Sequence, residues 1–158
     1  MAQIVFDTQH VVRYRFPTHT NDLILDRKDS EVAEAFLVRV EPTETVPLHV
    51  HNEAEQLFYV LQGEGEMSIA ADAAERIPLR VGDFARTPRG VPHSVRCVGD
   101  ETLVYLSIDC FSRPHPDEPT WDSHVRVMCA EHGWDFDDVK KGPIEVPHRF
   151  VGSSTQSD

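Results

Sequence analysis

A chain of 158 residues is enough for one domain with a substantial buried core. It carries 15 basic and 27 acidic residues, a formal net charge of −12, and such a surface repels phosphate backbones and anionic lipid, so no nucleic-acid or membrane partner is expected. Its three cysteines, Cys97, Cys110 and Cys129, are scattered and odd in number, which argues against a disulfide framework and for a reducing compartment.

In chain order, the first residues, Met1 to Asp7, lack a basic start followed by a long apolar run, so no signal peptide or membrane segment is expected and the protein reads as cytoplasmic. Residues 11–16 alternate as an early strand. Pro17 to Asp22 reads as a loop, Leu23 to Leu25 as a short strand, and Asp26 to Glu31 as a polar turn. From Ala35 the strands come at short intervals: Ala35–Val40, Gln56–Gln62, Glu66–Ala70, Ile77–Val81, Asp83–Thr87, Ser94–Val98 and Leu103–Cys110. Turn residues between them give the pattern of an all-β sandwich or barrel.

Beyond Phe111 the texture changes. Ser112 to Glu118 reads as a linker, and Pro119 suits the first position of a helix, with Asp117 and Glu118 at its positive end. Trp121, Val125, Met128, Cys129 and His132 form one stripe on that helix, which Gly133 ends. The stripe is expected to pack on the outside of the barrel or on a second subunit. Asp135, Asp137 and Asp138 read as a solvated turn, because no calcium-loop length or glycine follows. Residues 152–158 are small and polar, a disordered tail.

Two stretches carry the chemistry. In Pro47-Leu-His-Val-His51, the two histidines face the same way if the chain is extended. Glu55 or Gln56 follows at once, then the apolar run Leu57 to Leu61, then Gly63. In Gly82 to His93, a Gly-Asp turn opens a short strand, Pro88-Arg89-Gly90 makes a second turn, and His93 begins the next strand. Together these stretches resemble the two motifs of the cupin family, present once and over about residues 35–111.

The resemblance implies an antiparallel double-stranded β-helix, the jelly-roll barrel of a single-domain cupin, and the stripe beyond it adds a C-terminal α-helix that the resemblance does not explain. With the flanks read from their own pattern, the chain divides into N-terminal strands and loops packing on the barrel (1–34), the barrel (35–111), a linker and helix (112–150) and the tail (151–158). The resemblance also implies a site for one divalent transition metal, iron, manganese, nickel, zinc or copper, held by His49, His51, Gln56 and His93, with Glu55 as the alternative to Gln56. Counting back from Gly63, Gln56 has the commoner family spacing. Gln56 inward would bring Phe58 and Val60 with it, and Glu55 inward would bring Leu57, Tyr59 and Leu61. Both faces are apolar, so hydrophobicity does not choose.

Phe58, Val60, Arg86, Cys97 and Tyr105 are candidates for the substrate pocket. Arg86 could hold an anion, although an outward strand residue is its ordinary state, and Cys97 could simply be small and buried. Tyr59 could likewise donate to a substrate or only pack. His10, His19, His115, His124, His132 and His148 have no ligand spacing and read as surface or core residues. A homodimer is expected, because the outer face of the Gln56–Gln62 strand is as apolar as its inner face. The expected function is a metal-dependent enzyme acting on a small oxygenated organic compound, by Lewis-acid isomerase or lyase chemistry or by dioxygenation. The alternative is a cupin that binds a sugar-like or aromatic ligand without turnover.

Overall fold

Strand alternation places the apolar set of each central strand on one face, and two such faces closing on each other make the barrel. The structure, a computed structural model, describes residues 3–70, 75–114 and 117–146. Its elements are β1 (His10–Arg15), β2 (Thr20–Leu25), β3 (Ala33–Val40), β4 (Thr45–His49), β5 (Ala54–Gln62), β6 (Glu64–Ile69), β7 (Glu75–Arg80), β8 (Phe84–Thr87), β9 (His93–Cys97), β10 (Leu103–Phe111), α1 (Trp121–His132), α2 (Phe136–Val139) and β11 (Lys140–Glu145). A seven-stranded sheet runs β11-β1-β2-β3-β10-β5-β8 and a four-stranded sheet runs β4-β9-β6-β7. Every pairing is antiparallel. This is the double-stranded β-helix that the motifs imply, followed by the C-terminal helix that the stripe implies.

Phe36, Val38, Phe58, Val60 and Tyr105 from the larger sheet meet Val46, Met67, Leu79 and Val95 from the smaller one, all buried in one core. Several sequence boundaries move. Strand β2 begins at Thr20, inside the stretch read as a loop, and β4 and β11 are strands that the apolar pattern did not announce. β1 and β2 continue the sheet from β3, and β11 closes its edge against β1.

The helix starts two residues later than Pro119 suggests. Thr120 is its N-cap, accepting from the Ser123 amide, and Asp122 is the acid of the first turn. Gly133 ends it in the left-handed conformation at φ 70°. Its stripe does not lie on the barrel's outer surface. Trp121, Val125 and Cys129 join the central core beside Tyr14 and Phe36, because the two sheets leave one side open and an apolar helix face covers it. Asp135 caps the short helix α2 where a solvated turn was expected. Among the described residues no helix is long and apolar enough to cross a membrane, and Cys97, Cys110 and Cys129 are unbridged. His115, His148 and residues 152–158 lie outside the described residues.

Gly63 fixes the turn between β5 and β6. Its φ is +72°, and a Cβ there would stand 2.6 Å from the Thr102 carbonyl oxygen. Gly142 has the same φ but open space around it. Gly63→Ala is therefore expected to lower unfolding free energy by about 2 kcal/mol or more, from strain plus a backbone clash. Gly142→Ala should lose about 1 kcal/mol, from strain alone. Urea titrations of the two variants check this ordering.

Candidate metal centre and its cavity

The pairing of β4 with β9 sets His49 opposite His93, and the turn before β9 is tied back by the Gly90 amide donating to the His51 carbonyl at 2.9 Å. These two contacts bring both motifs to one place. The ring centroids of His49, His51 and His93 lie 4.3 to 5.7 Å apart. One nitrogen from each ring lies within 4.8 Å of the others. His51 lies just past the end of β4, so strand alternation alone did not guarantee its direction.

The tautomers follow from the backbone. Nδ1 of His49 donates to the Pro47 carbonyl at 2.7 Å and Nδ1 of His93 to the Val91 carbonyl at 3.0 Å, leaving a lone pair on each Nε2. Nε2 of His51 is buried with no hydrogen-bond partner. Burial holds His51 down to about 3 and His93 to about 4, and lowers His49 too. Three neutral imidazoles with convergent lone pairs fit a metal ion.

Gln56 faces inward and Glu55 does not. Gln56 is 8% exposed, with Phe58 and Val60 on its face, whereas Glu55 is turned outward and pairs with Arg86 at 2.7 Å. Oε1 of Gln56 lies 2.7 Å from Nε2 of His93, and its Nε2 donates to Oδ1 of Asp109 at 2.7 Å. With Nδ1–H of His93 committed to the backbone, Oε1 and Nε2 are two acceptors face to face. A cation between them reconciles that contact, so the fourth donor also fits a metal.

A row of polar groups runs behind Gln56, across three neighbouring strands. Asp109 on β10 pairs with Gln56 on β5 and with Glu34 on β3. Burial, then the charge of Glu34, pushes Asp109 well above the usual carboxylate range, and it shares a hydrogen bond with Glu34. Arg27 donates to both Glu34 oxygens at 2.7 and 2.8 Å, so Glu34 is the ionised member and Asp109 keeps the proton.

The cavity in front of the triad has a volume of about 450 Å³. Of the expected pocket residues, Phe58 and Tyr105 border it, and burial keeps the Tyr105 hydroxyl protonated. The other three do not. Val60 is sunk in the core beyond Phe58, Cys97 turns its thiol to the Glu101 carbonyl, and Arg86 is outside on β8. Tyr59 is also outside, 44% exposed. Glu34, Asp109, Arg27, Trp121 and Trp134 border the cavity without having been expected there. An acid on the inward parity of an apolar strand was the signal for Asp109, two residues from Ser107 and four from Tyr105. His19, His124 and His132, which lack ligand spacing, also reach the wall; His19 stacks on Phe16 at 4.8 Å and burial holds it to about 3.

Comparison with known proteins agrees with this geometry. Residues 36–109 match the family model described as Cupin domain. The chain is 30% identical over 71 residues to an oxalate-binding protein of Thermotoga maritima, covering 45% of this chain and 56% of that one. It is 33% identical over 78 residues to quercetin 2,3-dioxygenase of Bacillus subtilis, covering 49% of this chain and 22% of that one. It thus spans less than two thirds of either relative. A crystal structure of a predicted oxalate decarboxylase from Thermotoga maritima superposes with a TM-score of 0.62 at 20% identity, over 68% of this chain and 99% of that one, a likeness of fold.

The depressed histidines make the metal-free protein sensitive to acid. His19, His51 and His93 stay neutral when folded but bind protons below about 6.5 when unfolded. The unfolded state therefore holds more protons, and stability falls as pH drops from about 6.5 towards 4. The slope is up to about 1.4 kcal/mol per pH unit for each ring. Urea midpoints in the presence of a chelator should decline over that window, and a flat profile would contradict the buried neutral triad.

Proposed function

We propose, from the premise that residues 36–109 are a cupin domain, that this protein holds one divalent transition-metal ion and acts through it on a small oxygenated organic molecule. His49, His51, Gln56 and His93 would hold the ion. The observation that carries the reading is the convergence of three neutral imidazoles at a cavity large enough for an organic ligand. Such an ion would supply Lewis acidity towards a substrate oxygen.

The donor set supports Lewis-acid chemistry, such as isomerisation or elimination, ahead of dioxygenation. Three imidazoles and an amide are uncharged and leave the ion its full charge, with no anionic ligand to favour a more oxidised state. The chain's own groups suit proton handling. Asp109 keeps a proton at its carboxyl on the cavity wall, Glu34 beside it is paired with Arg27, and Tyr105 is a neutral donor. A protein that only binds its ligand needs no such acid and base, which supports an enzyme.

Metal content and affinity of variants test the donor set. His93→Ala should lose the ion, and Gln56→Ala should weaken binding. Gln56→Glu should tighten it, because the new carboxylate is anionic and the protonated Asp109 can donate to it. Glu55→Gln should leave affinity unchanged, since its carboxylate is engaged with Arg86 on the outside. Full metal retention in His93→Ala would reject the site, and loss in Glu55→Gln would overturn Gln56.

A homodimer through the outer face of the larger sheet is part of the same proposal. Tyr59 and Phe84 are cross-strand neighbours there, 44% and 65% exposed, beside half-buried Leu57, Leu106 and Ile108. A contiguous apolar face of this kind supports association with a second copy. Sedimentation should show a dimer at micromolar concentration, and Tyr59→Glu with Phe84→Glu should give a monomer with unchanged metal content.

A further inference from the structure

We propose that the cavity takes an uncharged aromatic compound bearing an oxygen donor, such as a phenol, a catechol or an enolisable aryl ketone, and that small dicarboxylates such as oxalate are poor occupants. The proposal deepens the metal-site reading above and rests on it for where the oxygen is received.

Charge is the first argument. Among the described residues bordering the cavity, Arg27 is the one Lys or Arg. Its Nε and Nη2 donate to Glu34 at 2.7 and 2.8 Å, and its Nη1 to the Glu118 carbonyl at 3.2 Å and the Glu118 carboxylate at 3.4 Å. All three nitrogens are engaged. Glu34, Glu53, Glu118 and Glu131 stand against it on the wall, a balance that one divalent ion does not invert. A dicarboxylate reaching Arg27 would compete with Glu118 for Nη1, and to take both outer nitrogens it would have to displace Glu34. That carboxylate is 1% exposed and would be left buried without its counter-charge. A cationic ligand is disfavoured in turn by the ion itself.

The second argument is the wall. Phe16, Phe36, Phe58, Tyr105, Trp121 and Trp134 all border the cavity. Phe36 and Trp121 lie 4.3 Å apart between centroids, Phe58 and Tyr105 5.1 Å, and Phe16 and Trp134 5.7 Å. Phe58 continues the wall to His93, at 6.2 Å. An aromatic ring bound against these faces gains area and quadrupole contacts, while a hydroxyl or carbonyl oxygen on it reaches the triad. A two-carbon dianion would leave most of the 450 Å³ to water.

The third argument is where the wall comes from. Phe16, Arg27, Glu34, Trp121 and Trp134 lie outside residues 36–109, the segment matched by the family. The oxalate named for one relative, aligned over 45% of this chain, is therefore no guide to a wall built in large part from these residues. Selection among ligands here depends on residues outside the family segment.

Both tryptophans of the chain line the cavity, so intrinsic fluorescence reports its occupant. The full chain is loaded with zinc, a redox-silent ion, its metal content is measured, and it is titrated with catechol and with oxalate. Metal content is measured again after each titration. Catechol should quench the tryptophans and bind at least about tenfold more tightly than oxalate. It should also bind the metal-free protein, more weakly, through the rings alone. Glu118→Gln, which relieves Arg27 of one anionic partner, should narrow the gap by strengthening oxalate. Oxalate binding as tightly as catechol in zinc-retaining protein would overturn the proposal, as would absence of catechol quenching with and without zinc. Failure to retain zinc while catechol still quenches would instead sink the metal reading and leave the aromatic pocket standing.

Discussion

One buried file of polar groups constrains the whole site: Arg27, Glu34, Asp109, Gln56 and His93, each bonded to the next. Polar groups inside an apolar barrel are tolerated only when every one finds a partner. Here each partner also fixes a direction. Arg27 keeps Glu34 ionised, Glu34 takes the hydrogen bond of Asp109, and Asp109 accepts the Gln56 amide N–H. That leaves the Gln56 carbonyl oxygen facing the triad. The amide is thereby oriented by the two strands behind it, β10 and β3, and not by its own rotamer preference, which is how outer groups position a ligand. Replacing any member with an apolar residue strands the next one, so the file stands or falls together.

The strands that the apolar pattern announced include β1, β3, β5, β9 and β10, each with an apolar set facing the core. Those it missed have physical excuses. β4 contains Pro47, which argues against a strand, yet β4 lies at the edge of its sheet and needs no donor on its open side. β11 is Lys-Lys-Gly-Pro-Ile-Glu, with no apolar run, and is likewise an edge, held by β1. The first residues of β2, Thr20 to Asp22, read as a loop because they are polar. They are buried all the same, because Arg13 and Arg39 both bond the Asp22 carboxylate. Local polarity was read correctly and then overridden by a partner distant in sequence.

The three histidines were legible from spacing, because the turns that deliver them are written in Gly and Pro. The choice between Gln56 and Glu55 was not, since β5 is apolar on both faces. What turns Gln56 inward and Glu55 outward lies on neighbouring strands: an acid on β10 to receive the inward amide, and Arg86 on β8 to receive the outward carboxylate. The helix stripe was legible as a stripe but not in its destination. An apolar helix face packs as readily on a barrel's flank as across its open side, and sequence period does not tell these apart.

The destination of that helix joins the two ends of the chain to the site. Asp26 accepts the Trp121 amide at 2.9 Å, fixing the first turn of α1, while the next residue, Arg27, holds both Glu34 in the polar file and Glu118 just before the helix. His124 on α1 returns to Glu118. At the same end of the helix, Asp122 is held by Tyr14 of β1 and by Lys140 of β11. The turn after β2 is thus a shared anchor. One of its residues sets the aromatic wall and the next sets the amide behind the triad. A shift of α1 that broke the Glu118 contact would change the electrostatics of Arg27, and through Glu34 and Asp109 the support of Gln56. Wall and ligand set are coupled through one guanidinium. In this chain the aromatic wall and the residues proposed to hold an ion are therefore joined by one network of contacts, although its parts come from stretches of sequence about 90 residues apart.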